Sequence, residues 1–221
     1  MVVIVRKTSA KQLEGGREGQ RLARPEPVQR RGRERFEKIL ACAIEIMMEK
    51  GSEAFRMSDL VERSGVPFGS LYQYFPDKTA VIATLAERYN SMAHDCVRKE
   101  IAALTDVSKL HAVLGAIADS YFQYFIDEPA VFHIWQATQA DRELQKIDEE
   151  DSIYLTGMLI DAVRPLAPDV AERKLVNFCG VVMVMIAAAV RHAILLPPEE
   201  GRRALKLFKR LLPHDLAATK G

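Results

Sequence analysis

The stretch Ala54-Phe-Arg-Met-Ser-Asp-Leu-Val-Glu-Arg-Ser-Gly-Val-Pro-Phe-Gly-Ser-Leu-Tyr-Gln-Tyr-Phe-Pro-Asp-Lys-Thr79 decides the fold. It reads as two short helices joined by a tight turn. Met57, Leu60 and Val61 fall at i, i+3 and i+4 and make one apolar face. Gly65 supplies a residue that tolerates positive φ just past a helix end. Pro67 suits the first turn of a new helix, where its missing N–H would be unpaired anyway. Pro76 ends that helix, and Asp77 is a good N-cap for the next one. On the second helix, Phe68, Leu71 and Phe75 are expected to face the core. Gly69, Tyr72 and Gln73 fall on the opposite side, with Ser70 and Tyr74 along an edge. Hydroxyl and amide groups on such a face suit phosphates and base edges.

These residues resemble the DNA-binding helix-turn-helix of the TetR family of bacterial transcriptional regulators. The likeness is carried by Asp59-Leu60, Gly65-Val66, Gly69 to Pro76 and Lys78, and covers roughly residues 33–80. There are two departures. Arg56 stands where the family usually has a capping Ser or Thr, with Ser58 as a possible replacement cap. Pro67-Phe68 stands where the family often has Ser and a polar or basic residue, so the operator sequence does not carry over. The resemblance implies DNA contact by Arg56, Ser58, Gly69, Ser70, Tyr72, Gln73, Tyr74 and Lys78.

Composition agrees with a soluble, globular protein. The 221 residues suit one medium or two small domains. Hydrophobic residues make up 48% and charged residues 28%, the balance of a soluble chain. The net charge of +1 says little, but residues 1–35 hold ten basic and four acidic residues, which leaves the remainder near −5. Residues 1–31, with Gly15, Gly16, Gly19, Pro25 and Pro27 and no apolar period, read as a disordered basic tail. Such a tail is either a solvated extension or an arm that tracks phosphates.

From residue 32 the chain reads as successive helices, with no strand pattern and no internal repeat. Expected helices run over about 32–50, 77–104, 108–127, 130–140, 142–163, 168–196 and 199–212. The fold class is therefore all-α: an N-terminal three-helix DNA-binding domain over 32–80, then a helical ligand-binding and dimerisation domain over 81–221. The apolar run Phe178 to Val190 is well short of the ~20 residues that span a bilayer. Met1 to Val5 has neither the length nor the charge order of a signal peptide. A cytoplasmic location and no membrane partner are expected.

Nothing points to catalysis. His94, His111, His133, His192 and His214 show no metal-binding spacing, and Gly69-Ser70-Leu71 is not a nucleophile elbow. Asp148 to Asp151 point around a helix and not at one centre. Cys42, Cys96 and Cys179 are widely spaced and read as buried, reduced thiols. No cofactor or metal is expected.

Tyr121, Phe125, Phe132, Trp135, Met158 and Met183 read either as core or as the lining of a cavity between helices, where bundles place small-molecule sites. Gln136 or Asn177 is the expected polar handle. The run Val181 to Val190 is apolar around its whole circumference and needs cover on several sides. Val184, Ala187, Ala188, Phe208 and Leu211 are therefore the expected dimer seam, a four-helix bundle about a two-fold axis. The reading is a homodimeric regulator, by resemblance a repressor, that binds a palindromic double-stranded operator and is released by a small, largely apolar effector. The alternatives are a ligand-independent DNA-binding protein with a filled core, and a helical small-molecule binder or enzyme with a vestigial helix-turn-helix.

Overall fold

A computed structural model describes residues 22–219, and over these the chain is helical with no strand. Among the described residues nine α-helices follow in order: α1 (Arg30–Lys50), α2 (Met57–Ser64), α3 (Phe68–Tyr74), α4 (Lys78–Ile101), α5 (Leu110–Asp127), α6 (Ala130–Gln139), α7 (Arg142–Val163), α8 (Glu172–Ile194) and α9 (Pro198–Leu211). Two compact units emerge. Of the described residues, the first takes in 22–91 and 128–149, the second 92–127 and 150–219. Helices α4 and α7 each contribute one end to either unit.

The first unit is built on an apolar core from α1, α2, α3, α4 and α6. Phe36, Ile39, Leu40, Ala43, Ile46 and Met47 of α1 are buried, as their spacing requires. Gly51 closes α1 at φ 80°, with its N–H on the Met47 carbonyl at 2.9 Å. Phe55, Leu60, Leu71 and Phe75 are at most 1% exposed. Phe36 stacks on Phe75 with ring centroids 5.0 Å apart. At the surface, Arg63 of α2 grips Glu49 of α1 through two bonds of 2.8 and 2.7 Å. Arg88 of α4 grips Glu37 in the same way.

The second unit packs α8 against α5 and α9. Leu175, Cys179, Val182, Met183, Ile186 and Val190 form the buried side of α8. Gly201 of α9 sits so close to α8 that a Cβ there would lie 2.3 Å from the Ala193 carbonyl oxygen. His94 of α4 bonds Asp151 of α7 at 2.5 Å. Burial pushes the Cys179 thiol up to about 12, which fits an inert core cysteine.

Three expectations are corrected here. Over residues 22–31 the chain is not a disordered tail. Ala23 is buried, the Arg24 N–H donates to Thr84 Oγ1 of α4 at 2.8 Å, and α1 already begins at Arg30. The rest of the proposed tail, residues 1–21, lies outside the described residues. The α8 helix begins at Glu172 and not at Pro168, because Ala167 leaves the helical region at φ −137° and a turn intervenes. Cys96 is only partly buried. The α8 helix is long and apolar enough to cross a membrane by length and composition alone, a test that the core helix of a globular protein also passes.

Candidate nucleic-acid interface

The turn between α2 and α3 follows its sequence closely. Gly65 sits at φ 61°, in the left-handed region, and its N–H bonds the Val61 carbonyl at 3.2 Å. Ser64, fully buried, accepts the Val66 N–H on its hydroxyl at 3.3 Å. Pro67 is the N-cap of α3, one place before the first turn, and Leu71 closes that turn with its N–H on the Pro67 carbonyl. Asp77 caps α4 by accepting the Ala80 N–H at 2.8 Å. The two helices and their turn are thus fixed by local hydrogen bonds, backbone and short side chain alike, with Leu60, Leu71 and Phe75 holding them to the core.

Phe68 is the exception. It is 64% exposed, not packed inward with Leu71 and Phe75. At the first residue of a two-turn helix no preceding turn lies beneath the side chain to cover it. Its ring instead lies against Tyr72, one turn on, with centroids 4.4 Å apart and planes tilted by 32°.

The residues implied in DNA contact divide into two groups. Arg56, Ser58, Gly69, Tyr72 and Gln73 are exposed. Ser70, Tyr74 and Lys78 are half-buried. Ser58 does not replace the missing cap. Arg56 is the N-cap of α2, and no side chain bonds the freed N–H groups there. Ser58 lies inside the first turn, too late in the helix to cap it. A Cβ added to Gly69 would meet nothing within 4 Å.

Tyr74 and Lys78 are tied into the protein. The Tyr74 ring meets Phe36 edge-on at 6.3 Å, and its hydroxyl lies 3.6 Å from where a Gly32 Cβ would be. Lys78 Nζ donates to the Ser52 carbonyl at 2.9 Å and lies 5.8 Å from the centre of the Phe55 ring. Burial, and then the nearby Arg56 charge, lower the Lys78 pKa. This anchoring leaves no mark in the sequence, because Ser52 contributes a backbone oxygen that any residue would supply.

The candidate effector residues belong to different units. Phe132, Trp135 and Gln136 lie on α6 in the first. Phe132 and Trp135 are half-buried neighbours with centroids 6.0 Å apart, and Gln136 is exposed. Tyr121, Phe125, Met158, Asn177 and Met183 lie in the second. Tyr121 meets Phe125 edge-on at 5.0 Å, Phe125 and Met183 are buried, Met158 is half-buried, and Asn177 is exposed. His133, which the sequence did not single out as a handle, has a buried Nδ1 with no hydrogen-bond partner among the described residues. Of the candidate seam residues, Val184, Ala188 and Leu211 are exposed, while Ala187 and Phe208 are half-buried.

Comparison with known proteins accounts for both parts. Residues 39–85 match the family described as bacterial regulatory proteins, tetR family. Residues 108–219 match the Tetracyclin repressor-like, C-terminal domain. The chain is 42% identical over 60 residues to the uncharacterised HTH-type transcriptional regulator YvdT of Bacillus subtilis, covering 27% of this chain and 30% of that one. It is 29% identical over 86 residues to the HTH-type transcriptional repressor KstR of Mycobacterium tuberculosis, covering 38% and 39%. The matched stretches thus span well under half of these relatives. Among solved structures, a Syntrophomonas wolfei protein assigned to the TetR-family regulators superposes with a TM-score of 0.63 at 16% identity, over 80% of this chain and 94% of that one. The fold is therefore that of a two-part helical regulator with an N-terminal helix-turn-helix. The chain belongs to the TetR family of bacterial transcriptional regulators.

Proposed function

We propose that the protein is a cytoplasmic repressor that binds a palindromic operator as a homodimer and is released by a small, largely apolar effector. The observation that carries the reading is the outer face of α3. A seven-residue helix that exposes Phe68, Gly69, Tyr72 and Gln73 gives up packing it could have had, and the exposed groups suit base edges. Arg56 and Ser58 at the start of α2 supply a charge and a hydroxyl for phosphates. Lys78 adds a second positive charge beside Arg56.

A dimer follows from need and from surface. One short recognition helix reads few base pairs, and a two-fold pair sets two half-sites one or more DNA turns apart. Val181, Val184 and Met185 of α8 and Leu207 and Leu211 of α9 are 40–68% exposed. A second copy that covers them removes an apolar surface that would otherwise face water.

The effector reading rests on the half-buried aromatic residues of α6 and on His133. A buried imidazole nitrogen without a partner carries a desolvation cost, and a polar group on a ligand relieves it. An effector that favours one arrangement of the dimer shifts the population away from the DNA-binding one. Family membership supports regulation over catalysis, because the family consists of transcriptional regulators. Selection of duplexes from a random-sequence pool tests the function. The expected outcome is a palindromic consensus with salt-dependent affinity. A pool that stays random after selection contradicts it. Reporter expression from that consensus, with and without the protein, reads the sign of regulation.

A further inference from the structure

We infer that Phe68 and Tyr72 form an apolar ledge on α3 that reads thymine C5-methyl groups in the major groove, an inference that rests on the DNA-binding function proposed above. Phe68 is a large aromatic side chain left 64% exposed, and Tyr72 beside it is 36% exposed. Their rings lie 4.4 Å apart across one helical turn. Each ring restricts the other, so the ledge is held in shape before DNA arrives and little side-chain freedom is lost on docking.

The chemistry selects one base. In the major groove, guanine, cytosine and adenine offer donors and acceptors, while only thymine adds a methyl group. The Phe68 side chain can neither donate nor accept, and Pro67 before it has no N–H. A polar base edge pressed against the ring would lose its water without a replacement bond, whereas a methyl group gains from the same burial. Selection therefore works by attraction to thymine and by exclusion of the others.

The surroundings favour DNA over another occupant. α3 contains no carboxylate to repel phosphates. The ledge is continuous with exposed Gly69 and Gln73, and nothing stands within 4 Å of a Cβ placed at Gly69. A backbone can thus approach closely beside the two rings. A second copy of the chain is the rival occupant, and the experiment separates the two.

The test uses the full-length protein and a duplex selected from a random pool. Each thymine in turn is replaced by deoxyuridine, which removes only the methyl group. The expected result is a loss of about four-fold in affinity per buried methyl, at one or two positions in each half-site. Phe68→Ala should bind the thymine and uracil duplexes equally, and Phe68→Leu should restore part of the preference. The wild-type comparison stands alone if a variant folds poorly. Selective binding that is indifferent to every uracil replacement overturns the ledge and leaves the DNA-binding function intact. No selective binding at all overturns both. A Phe68→Ala change in the sedimentation of free protein, with uracil replacement neutral, overturns the inference and makes the ledge a self-association surface.

Discussion

Lys78 Nζ donates to the carbonyl oxygen of Ser52 at 2.9 Å, and so ties the first turn of α4 to the loop that leads into α2. The residue that sequence likeness marks as a phosphate contact is also a strut. Its ammonium keeps two further N–H donors. Lys78→Met, which keeps the stem and removes the charge, should lower stability by about 1 kcal/mol for the lost hydrogen bond. The same variant should weaken binding to all duplexes alike and reduce the salt slope by about one. Thermal melts and a salt titration check the two effects separately. Loss of stability with an unchanged salt slope would leave Lys78 a strut alone.

Gly69 separates folding from function. A methyl group there meets nothing within 4 Å, and the glycine has no positive φ. Gly69→Ala should therefore raise stability, by up to about 1 kcal/mol on helix propensity. It should also weaken operator binding at least several-fold, because on the proposed docking of α3 the methyl group stands in the path of the DNA. Paired melting and binding measurements decide this. A stabilised variant with full affinity would show that DNA does not approach α3 along this side.

The bidentate Arg88–Glu37 pair joins α4 to α1 and makes the first unit sensitive to acid. Hydrogen bonding to the Arg88 guanidinium holds the Glu37 carboxyl below its ordinary value of 4.5. The folded state therefore binds the proton less readily than the unfolded one. The pair's contribution is complete above pH 4.5 and is lost as pH falls through the lowered value. The pair is partly exposed, so the effect is small. Denaturation at a series of pH values should show an acid limb that Arg88→Ala flattens.

Gly201 controls how α9 lies on α8. A Cβ at 2.3 Å from the Ala193 carbonyl oxygen leaves no room, so Gly201→Ala must push the helices apart. The expected cost is about 1–3 kcal/mol. If α8 and α9 form the dimer seam, the same change should raise the dimer dissociation constant. Ala188→Glu, at an exposed position, should give monomers with little loss of protomer stability. Sedimentation against concentration reads both variants. A dimer unaffected by Ala188→Glu would move the interface elsewhere.

The legibility of this chain follows from how local each signal is. Gly51, Gly65, Pro67 and Pro76 act through their own backbones and Asp77 through a carboxylate that reaches only three residues on, so the helix ends they mark are readable. The buried stripe of α1 was readable because its period alone decides it. The exposure of Phe68 is not legible, because helical spacing gives direction around an axis, but not whether anything covers the end of a two-turn helix. The order of residues 22–31 is not legible because Arg24 docks on Thr84, sixty residues away. The anchoring of Lys78 has the same cause. The candidate effector residues are the least legible, since core and pocket lining use the same side chains.

The central claim is that two copies of this chain read two half-sites through α3. The most direct measurement is the stoichiometry and footprint of the full-length protein on a duplex it has selected, by sedimentation of the complex and hydroxyl-radical protection. The account predicts two protomers per duplex and two protected segments related by a two-fold axis, centred one DNA turn or a multiple apart. One protomer on a single protected segment, or protection that does not depend on sequence, would contradict it.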